Sequence, residues 1–524
     1  MNFSNNNKRP TITKRTVSVS VAKSATTASP PPARLRDTNR FKLSTRPNVR
    51  APSRPAPKTV AKRAIDPRGT KRRSQTPDRI QWSDEEDGAS SSDVGGSDSD
   101  GWLRTGKRVK SSVSSASSLS GPRRRVVADK AFQQDAEALH FIHGADATSG
   151  EYAANYKNPW EEDDFVTVEL QYPSKCPRER FELKWPKRSE NKDYKPMEDI
   201  TETISHIVDH YFPPALAQKY KDPDTGFQRR FEHAWVRNDI PAFVRTVKNF
   251  NAVLKPLVDD GTIQRSLAKR DCLNRSQDLD LVRRILEQTY GRTVSPKVET
   301  LRAYDNGTDN VYGELLPRFV SQIFKQTGLN HESVFVDLGS GVGNVVLQAA
   351  LEIGCESWGI EQMSNPCELA NQQAIEFPAR ARLWGVDVGQ VQLLRGDFTS
   401  HPDILALLKR ADVVLVNNQA FLPATNAQLM NMFLDLKPGS QIVSLKPFRP
   451  VKHEITTRNM GSPVNTLVQK EYEYFSGHVS WTDVGGTYYI ARRDETELKR
   501  FEDSIKKNMA PQPASQPSSR SRDS

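Results

Sequence analysis

Apolar residues change their spacing along this 524-residue chain. Through about residue 130 they follow no period. The segments DFVTVELQYP and RERFELKWP then alternate apolar and polar positions, which predicts two strands joined by a Cys-Pro turn. From 197 to 300 the apolar residues recur every three or four positions. ITETISHIVDHYF, GFQRRFEHAWV, PAFVRTVKNFNAVLKPLV and DLDLVRRILEQTY therefore predict amphipathic helices, punctuated by Pro213-Pro214 and Asp222-Pro223. From about 331 short apolar runs alternate with helical periods. The strands SVFVDLG, SWGIEQ, VQLLRGDF, ADVVLVNN and QIVSLKPF are separated by NVVLQAALEIG, CELANQQAIEF, ILALLKR and NAQLMNMFLDL. Two longer extended pieces follow, TLVQKEYEYF and GTYYIARR. Repeated βαβ units predict a parallel sheet with helices on both faces. Ligands of such sheets bind at the C-terminal ends of the strands, where the strand order reverses.

Charge divides the chain differently. Lys and Arg total 75 against 64 Asp and Glu, a net of +11, yet residues 1–80 alone carry 20 basic residues and 3 Asp. Residues 81–130 balance at 8 of each sign, so 131–524 hold a net charge of −6. The basic segment is rich in Ser, Thr and Pro, as in SPPPARLR, and an acidic block, WSDEEDGASSSDVGGSDSD, follows it. Such composition cannot bury enough apolar surface to offset its ordering entropy. Residues 1–130 therefore read as a disordered arm for a polyanion, with KRRSQTPDR and GPRRR as candidate nuclear-import clusters. The alternative is a solvated spacer. Residues 131–159 read as a linker, with order beginning near Trp160. The mainly helical part then runs 160–300, the βαβ part 301–507, and 508–524 read as a second disordered end. No run approaches the roughly 20 apolar residues that span a bilayer, and MNFSNNNKRP has no apolar core of a secretory signal. Cys176, Cys272, Cys355 and Cys367 form no CxxC pair, which argues against a disulfide scaffold or a structural zinc site. These features predict a soluble intracellular protein without a membrane partner.

The chemistry concentrates in the first βα turn. Gly339, Gly341 and Gly343 are spaced GxGxG, and Asn344 stands where a dinucleotide fold wants its third glycine. No Walker lysine is present. Asp337 closes the strand, where its carboxylate can hold a cationic amino group and would repel phosphate. Glu361 ends the next strand and can accept both hydroxyls of a ribose. Asp397 and Phe398 end the third, offering an acceptor for an exocyclic amine and a ring for adenine. An amino acid joined to ribose and adenine without phosphate is S-adenosylmethionine, so these residues predict a methyltransferase. His206 and His210 lie four apart, as in zinc metallopeptidases, but Ile207 occupies the place of the general-base Glu. No metal site is expected.

VYGELLP, VFVDLGSGVGNVVLQAA, GIEQ, RGDF, VNNQAF, LKPF and VSWT with GTYYI occur in that order. Through them the chain resembles the disruptor-of-telomeric-silencing histone methyltransferases of the fungal branch. The match is firm over about 300–505 and loose over 160–300. It implies an α/β fold, the seven-stranded Rossmann-like class I S-adenosylmethionine-dependent type, rather than a SET fold. It also implies methyl transfer to a lysine in the folded core of nucleosomal histone H3. The implied partners are histones H3 and H4 and nucleosomal DNA, the setting the nucleus, with roles in silencing and the DNA damage checkpoint. The sequence leaves the oligomeric state open, with a monomer as the default. By the same resemblance Tyr312, Gly313, Glu314 and Leu315 wrap the methionine end of the cofactor. Phe335, Val336, Asp337, Leu338, Gly339, Ser340, Gly341, Val342, Gly343 and Asn344 form the main cofactor segment. Glu361 takes the ribose, and Asp397 with Phe398 the adenine. Asn417, Phe421, Trp481 and Tyr488, with Tyr312, line the lysine channel. Asn418 beside Asn417 is the competing choice, and Gln419 replaces an aromatic of animal relatives. Two other readings keep the same residues: a chromatin scaffold with a vestigial fold, and an amino methyltransferase of nucleic acids.

Overall fold

Short apolar runs produce strands that are buried on both faces, as Val334–Leu338 is at every position, Asp337 included. In the computed structural model five strands lie parallel: β5 (Val334–Leu338), β6 (Glu356–Glu361), β7 (Val391–Arg395), β8 (Val413–Val416) and β9 (Gln441–Ser444). Burial is complete in the central β5 and β8 and lowest in β7 at the edge. β10 (Leu467–Tyr474) and β11 (Gly486–Arg493) complete the sheet, in the order β10-β11-β9-β8-β5-β6-β7, with β11 antiparallel to both neighbours. The chain builds outward from β5 through β6 to β7, then returns to its other side with β8. The strand order therefore reverses between β5 and β8, where a ligand site is expected. The structure describes residues 124–133, 139–159, 165–187, 194–302 and 312–509, all within one unit, Thr76–Ser524.

Helices cover both faces of the sheet. One face packs Phe319, Ile323 and Phe324 of α7 (Pro317–Thr327) and Val345 and Val346 of α8 (Asn344–Gln348) against Phe335, Leu415 and Val443. The other packs Ile404 and Leu408 of α10 (Pro402–Leu408) and Leu429 and Met432 of α11 (Pro423–Met432) against Val336, Val414 and Ile442. α9 (Ser364–Leu383) follows β6, and α12 (Thr496–Met509) follows β11. The helical lead-in comprises α1 (Pro196–Tyr211), α2 (Pro214–Tyr220), α3 (Phe227–Val236), α4 (Ile240–Asp259), α5 (Thr262–Leu267) and α6 (Leu279–Thr293). Before it come two antiparallel pairs, β1 (Tyr156–Lys157) with β4 (Trp185–Pro186), and β2 (Thr167–Leu170) with β3 (Glu179–Glu182). The two expected strands and the four expected helices are thus present, with α2 and α5 added between them.

The lead-in is not a separate body. Its core is continuous with Leu347, Leu351, Phe377, Leu383 and Trp384 of the sheet-bearing part. A buried ionic network crosses the same boundary. Arg380 of α9 donates to Glu179 of β3 at 2.6 Å and to Glu376 at 2.7 Å. Glu179 also accepts from Arg292 of α6 at 2.9 Å, and Asp199 of α1 accepts from Arg292 and Arg284. Tyr172 donates to Glu179 at 2.6 Å, and Gln288 donates to Tyr172 at 2.9 Å. Every guanidinium here faces a carboxylate, the condition under which buried charge is tolerated.

Order also begins earlier than the linker reading expected. Arg124 donates to the carbonyls of Leu351 and Glu352, each at 2.6 Å, at the C-terminal end of the helix that starts at the glycine turn. Val126 and Val127 are buried, Val127 bridges to Val386, and Phe132 packs over Gly385. A strap of single anchor residues has no period, so its apolar residues carried no signal. GPRRR ends in this half-buried Arg124 and the exposed Arg125, and its first three residues lie outside the described residues. KRRSQTPDR, the acidic block and 510–524 lie outside the described residues.

Candidate functional site

At the β5/β8 switch point the strand ends enclose a cavity of about 260 Å³, near the lower limit for small-molecule clefts. Four loops build it. The first is the turn after β5. Gly339, Gly341 and Gly343 all have positive φ, at 89°, 56° and 89°, a conformation available to glycine without steric cost. Asp337, Gly339, Ser340, Gly341, Val342 and Asn344 face the cavity. Phe335, Val336 and Leu338 do not: they are fully buried in β5 and carry the turn from behind. Gly343 also stays out of the cavity, tucked against Leu393.

The second loop follows β6. Glu361 accepts backbone N–H groups from Gly341 at 3.1 Å and from Gln362 and Met363 at 2.9 Å each. Its carboxylate is thereby fixed beside the turn. Asp337 is nearly inaccessible, and burial, followed by the neighbouring Glu361 charge, pushes its carboxyl up to about 8. A cation placed against this pair would relieve both effects. An apo site therefore holds Asp337 protonated at neutral pH, and binding a ligand ammonium expels that proton. Affinity for a cationic ligand should accordingly rise with pH from 6 to 8, and Asp337→Asn should lose the rise. Calorimetry in buffers of differing ionisation enthalpy reads the released proton. Equal affinities at pH 6 and 8 would remove Asp337 from the binding role.

The third loop follows β7. Asp397, Phe398 and Thr399 line the cavity, and the Thr399 hydroxyl and N–H both donate to Asp397 at 2.8 Å. Phe398 stacks with Phe421 at 6.0 Å between centroids, and Phe421 also lies over Gly339. Phe421 thus shares the wall of Phe398.

The fourth part joins residues 312–316 to the turn between β10 and β11. Leu315 bridges to Val479, Ser480 donates its N–H to the Glu314 carbonyl at 3.0 Å, and the Glu314 N–H donates to the Ser480 hydroxyl at 2.9 Å. Trp481 packs on Gly313, where a Cβ would lie 2.7 Å from the indole. Asn417 donates from Nδ2 to the Gly313 carbonyl at 3.1 Å, while its buried Oδ1 has no partner among the described residues. A buried acceptor without a donor is costly, so this oxygen is aimed at something absent from the chain itself. Asn418 is different: it accepts from the N–H groups of Leu445 and Lys446 and donates to Asn426, a structural role.

Most of the expected residues therefore converge. Trp481 does not line the cavity itself and meets it only through Gly313, and Tyr488 is a correction. Its ring is fully buried between Phe319 and Tyr472, and its hydroxyl contacts Gln322 and Gln326 of α7. It supports the sheet behind the site instead of lining the cavity. Strand alternation explains this, since neighbouring Tyr488 and Tyr489 point to opposite faces. Met363, Pro366, Leu415, Thr425 and Gln428 line the cavity and had no motif to reveal them. His206 and His210 stack at 5.8 Å, and burial lowers them to about 3 and about 4, so they are neutral. Among the described residues no His, Cys, Asp and Glu group is arranged to hold a metal.

The comparisons point one way. Residues 290–493 match the family model described as "Histone methylation protein DOT1". The chain is 49% identical over 417 residues to an Aspergillus fumigatus protein named "Histone-lysine N-methyltransferase, H3 lysine-79 specific", covering 79% of this chain and 81% of that one. A protein of the same name from Emericella nidulans is 49% identical over 73% of this chain and 75% of its own. One from Gibberella zeae is 42% identical over 80% and 82%.

Proposed function

Because the chain belongs to the DOT1 histone methylation family, we propose that it transfers methyl groups from S-adenosylmethionine to lysine 79 of histone H3 in nucleosomes, acting in the nucleus. The observation that carries this reading is the unpartnered Asn417 oxygen at the end of an acid-lined cavity. The residues present fit the cofactor. Asp337 would hold its ammonium, Glu361 its ribose hydroxyls, and Asp397 with Phe398 its adenine. When bound, the sulfonium supplies an electrophilic methyl group with a neutral thioether as leaving group. What the chain contributes is alignment, which is catalysis by proximity. The entering lysine must be a neutral amine. Trp481, packed on Gly313 of the cavity lining, would offer apolar surface that disfavours ammonium and lowers the lysine pKa. Asn417 Oδ1 can accept a hydrogen bond from the amine N–H and so direct the nitrogen lone pair along the reaction axis. No dedicated base is needed.

Asn417→Ala should lower kcat by about 100-fold while changing cofactor affinity less than about threefold, the signature of an interaction made at the reacting amine. Steady-state kinetics on nucleosomes with calorimetry of the cofactor separate the two. Lost cofactor binding with an unchanged rate at saturation would move Asn417 into the cofactor pocket.

The basic arm is proposed to hold nucleosomal DNA. Residues 131–524 are net negative, so the arm should supply most of the non-specific affinity by counterion release. Deleting 1–123 should weaken nucleosome binding and reduce its log–log salt slope by about five if roughly six cations contact phosphates. It should leave cofactor affinity intact. A deletion reaching residue 130 would also remove Arg124, Val126 and Val127 and destabilise the core. Equal salt slopes for the full chain and 124–524 would make the arm a spacer.

A further inference from the structure

Helix α6 belongs to the lead-in, yet one of its side chains reaches the wall of the cavity. Tyr290 donates to Glu314 Oε1 at 3.4 Å. The same oxygen accepts from Tyr312 and, at 3.1 Å, from Asn344 Nδ2. The Asn344 amide is itself oriented, because Gln373 of α9 donates to its Oδ1 at 3.0 Å and to the Val342 carbonyl at 2.7 Å. The arrangement gathers donors from α6, α8 and the 312–316 loop on one carboxylate oxygen. Tyr312, Glu314 and Asn344 line the cavity, and Tyr290 stands behind them. The Tyr312 ring lies against Gly341, where a Cβ would come within 2.9 Å of it. Tyr290 and Tyr312 also pack on one small apolar cluster, Val294, Leu301, Val342 and Leu369. α6 is in turn held to α1 and β3 by Arg284, Gln288 and Arg292, and Gln288 accepts from Trp384 beyond α9.

We infer that Tyr290 is a positioning residue for the cofactor: it fixes Glu314, and through Glu314 the Tyr312 ring that closes the pocket over Gly341. The lead-in then does more than stabilise the sheet. It sets the shape of the wall that the methionine end of the cofactor meets. This rests on the reading of the cavity as an S-adenosylmethionine site. Burial raises the Glu314 carboxyl, and the hydroxyls of Tyr312 and Tyr290 with the Asn344 amide counter it. Each donor is therefore needed to keep Glu314 as an acceptor, and losing one should loosen Tyr312.

The test is a double-mutant cycle in the full chain with Tyr290→Phe, Glu314→Gln and the pair. Tyr290→Phe keeps the ring and its packing and removes the hydroxyl. It should raise Kd and KM for S-adenosylmethionine about five- to tenfold, the factor expected for losing one ordinary hydrogen bond. kcat at saturating cofactor should stay within about twofold, and the thermal unfolding midpoint should not move. In the Glu314→Gln background the effect of Tyr290→Phe should shrink to less than about twofold, because the two act as one unit. Wild-type affinity in Tyr290→Phe, or an equal loss in both backgrounds, would overturn the inference. So would a lowered unfolding midpoint with unchanged Kd. A wild-type chain that does not bind S-adenosylmethionine would instead overturn the functional reading, and this inference with it.

Discussion

Replacing Gly341 by arginine is expected to abolish cofactor binding while leaving the protein folded. Three observations combine at this position. Its φ of 56° lies in the left-handed region, where an L side chain costs about 1–2 kcal/mol. A Cβ would stand 2.9 Å from the Tyr312 ring, which must then move out of the wall. Its N–H is a donor that fixes the Glu361 carboxylate. A guanidinium there would also lie near Asp337 and Glu361 and compete for the charge meant for the ligand. The turn sits at the end of β5, outside the packed layers, so the fold should lose no more than the backbone strain. Calorimetry should show affinity reduced by at least about 100-fold, the loss expected when a charged group occupies the ligand's place. Circular dichroism should be unchanged. A folded variant with wild-type affinity would remove the glycine turn from the cofactor site.

Replacing Arg380 by alanine should produce the largest loss of stability of any single change considered. The side chain is fully buried and so are its partners Glu179 and Glu376. Burial pushes the Glu179 carboxyl up, but Arg380 and Arg292 outweigh that and hold it below its usual range. Without Arg380 two carboxylates remain in the interior with too few cations. Breaking a buried pair in this way costs about 3–5 kcal/mol. The exposed pair Arg125–Asp129 serves as the comparison, and Arg125→Ala should cost under about 1 kcal/mol. The sign with pH follows from the lowered Glu179 value. Its contribution is present at neutral pH and is lost as pH falls below the ordinary carboxylate range. Urea unfolding of both variants at pH 7 measures the difference. A cost for Arg380→Ala as small as that for Arg125→Ala would show that the lead-in and the sheet are joined by apolar contact alone.

The parallel sheet was legible because each strand is a short apolar run ended by a chemically distinct residue. Asp337, Glu361, Asp397 and Asn417 mark the C-terminal ends of β5, β6, β7 and β8, and the structure gathers all four at one cavity. What no periodicity could show were contacts made by single residues. Arg124, Val126 and Phe132 anchor a strap, and Tyr290 crosses from a helix with an ordinary amphipathic pattern. Tyr488 was misplaced for a related reason. The resemblance puts an aromatic at the channel, but the face that a strand residue occupies depends on register, which β11 takes from β9 and β10. The choice between Asn417 and Asn418 likewise needed hydrogen bonds, since only the three-dimensional partners separate an oriented amide from a structural one.

Methyl transfer from S-adenosylmethionine to histone H3 within the nucleosome can be read directly from its products. Full-length protein should be incubated with labelled S-adenosylmethionine and, in parallel, reconstituted nucleosomes, free histone H3 and naked DNA, with the products mapped by mass spectrometry. Methyl-lysine is expected at position 79 of H3 on nucleosomes, with much less on free histone and none on DNA, and the nucleosome signal should fall about 100-fold in Asn417→Ala. Methylated DNA bases, or unmodified nucleosomes from a protein that binds the cofactor, would contradict it.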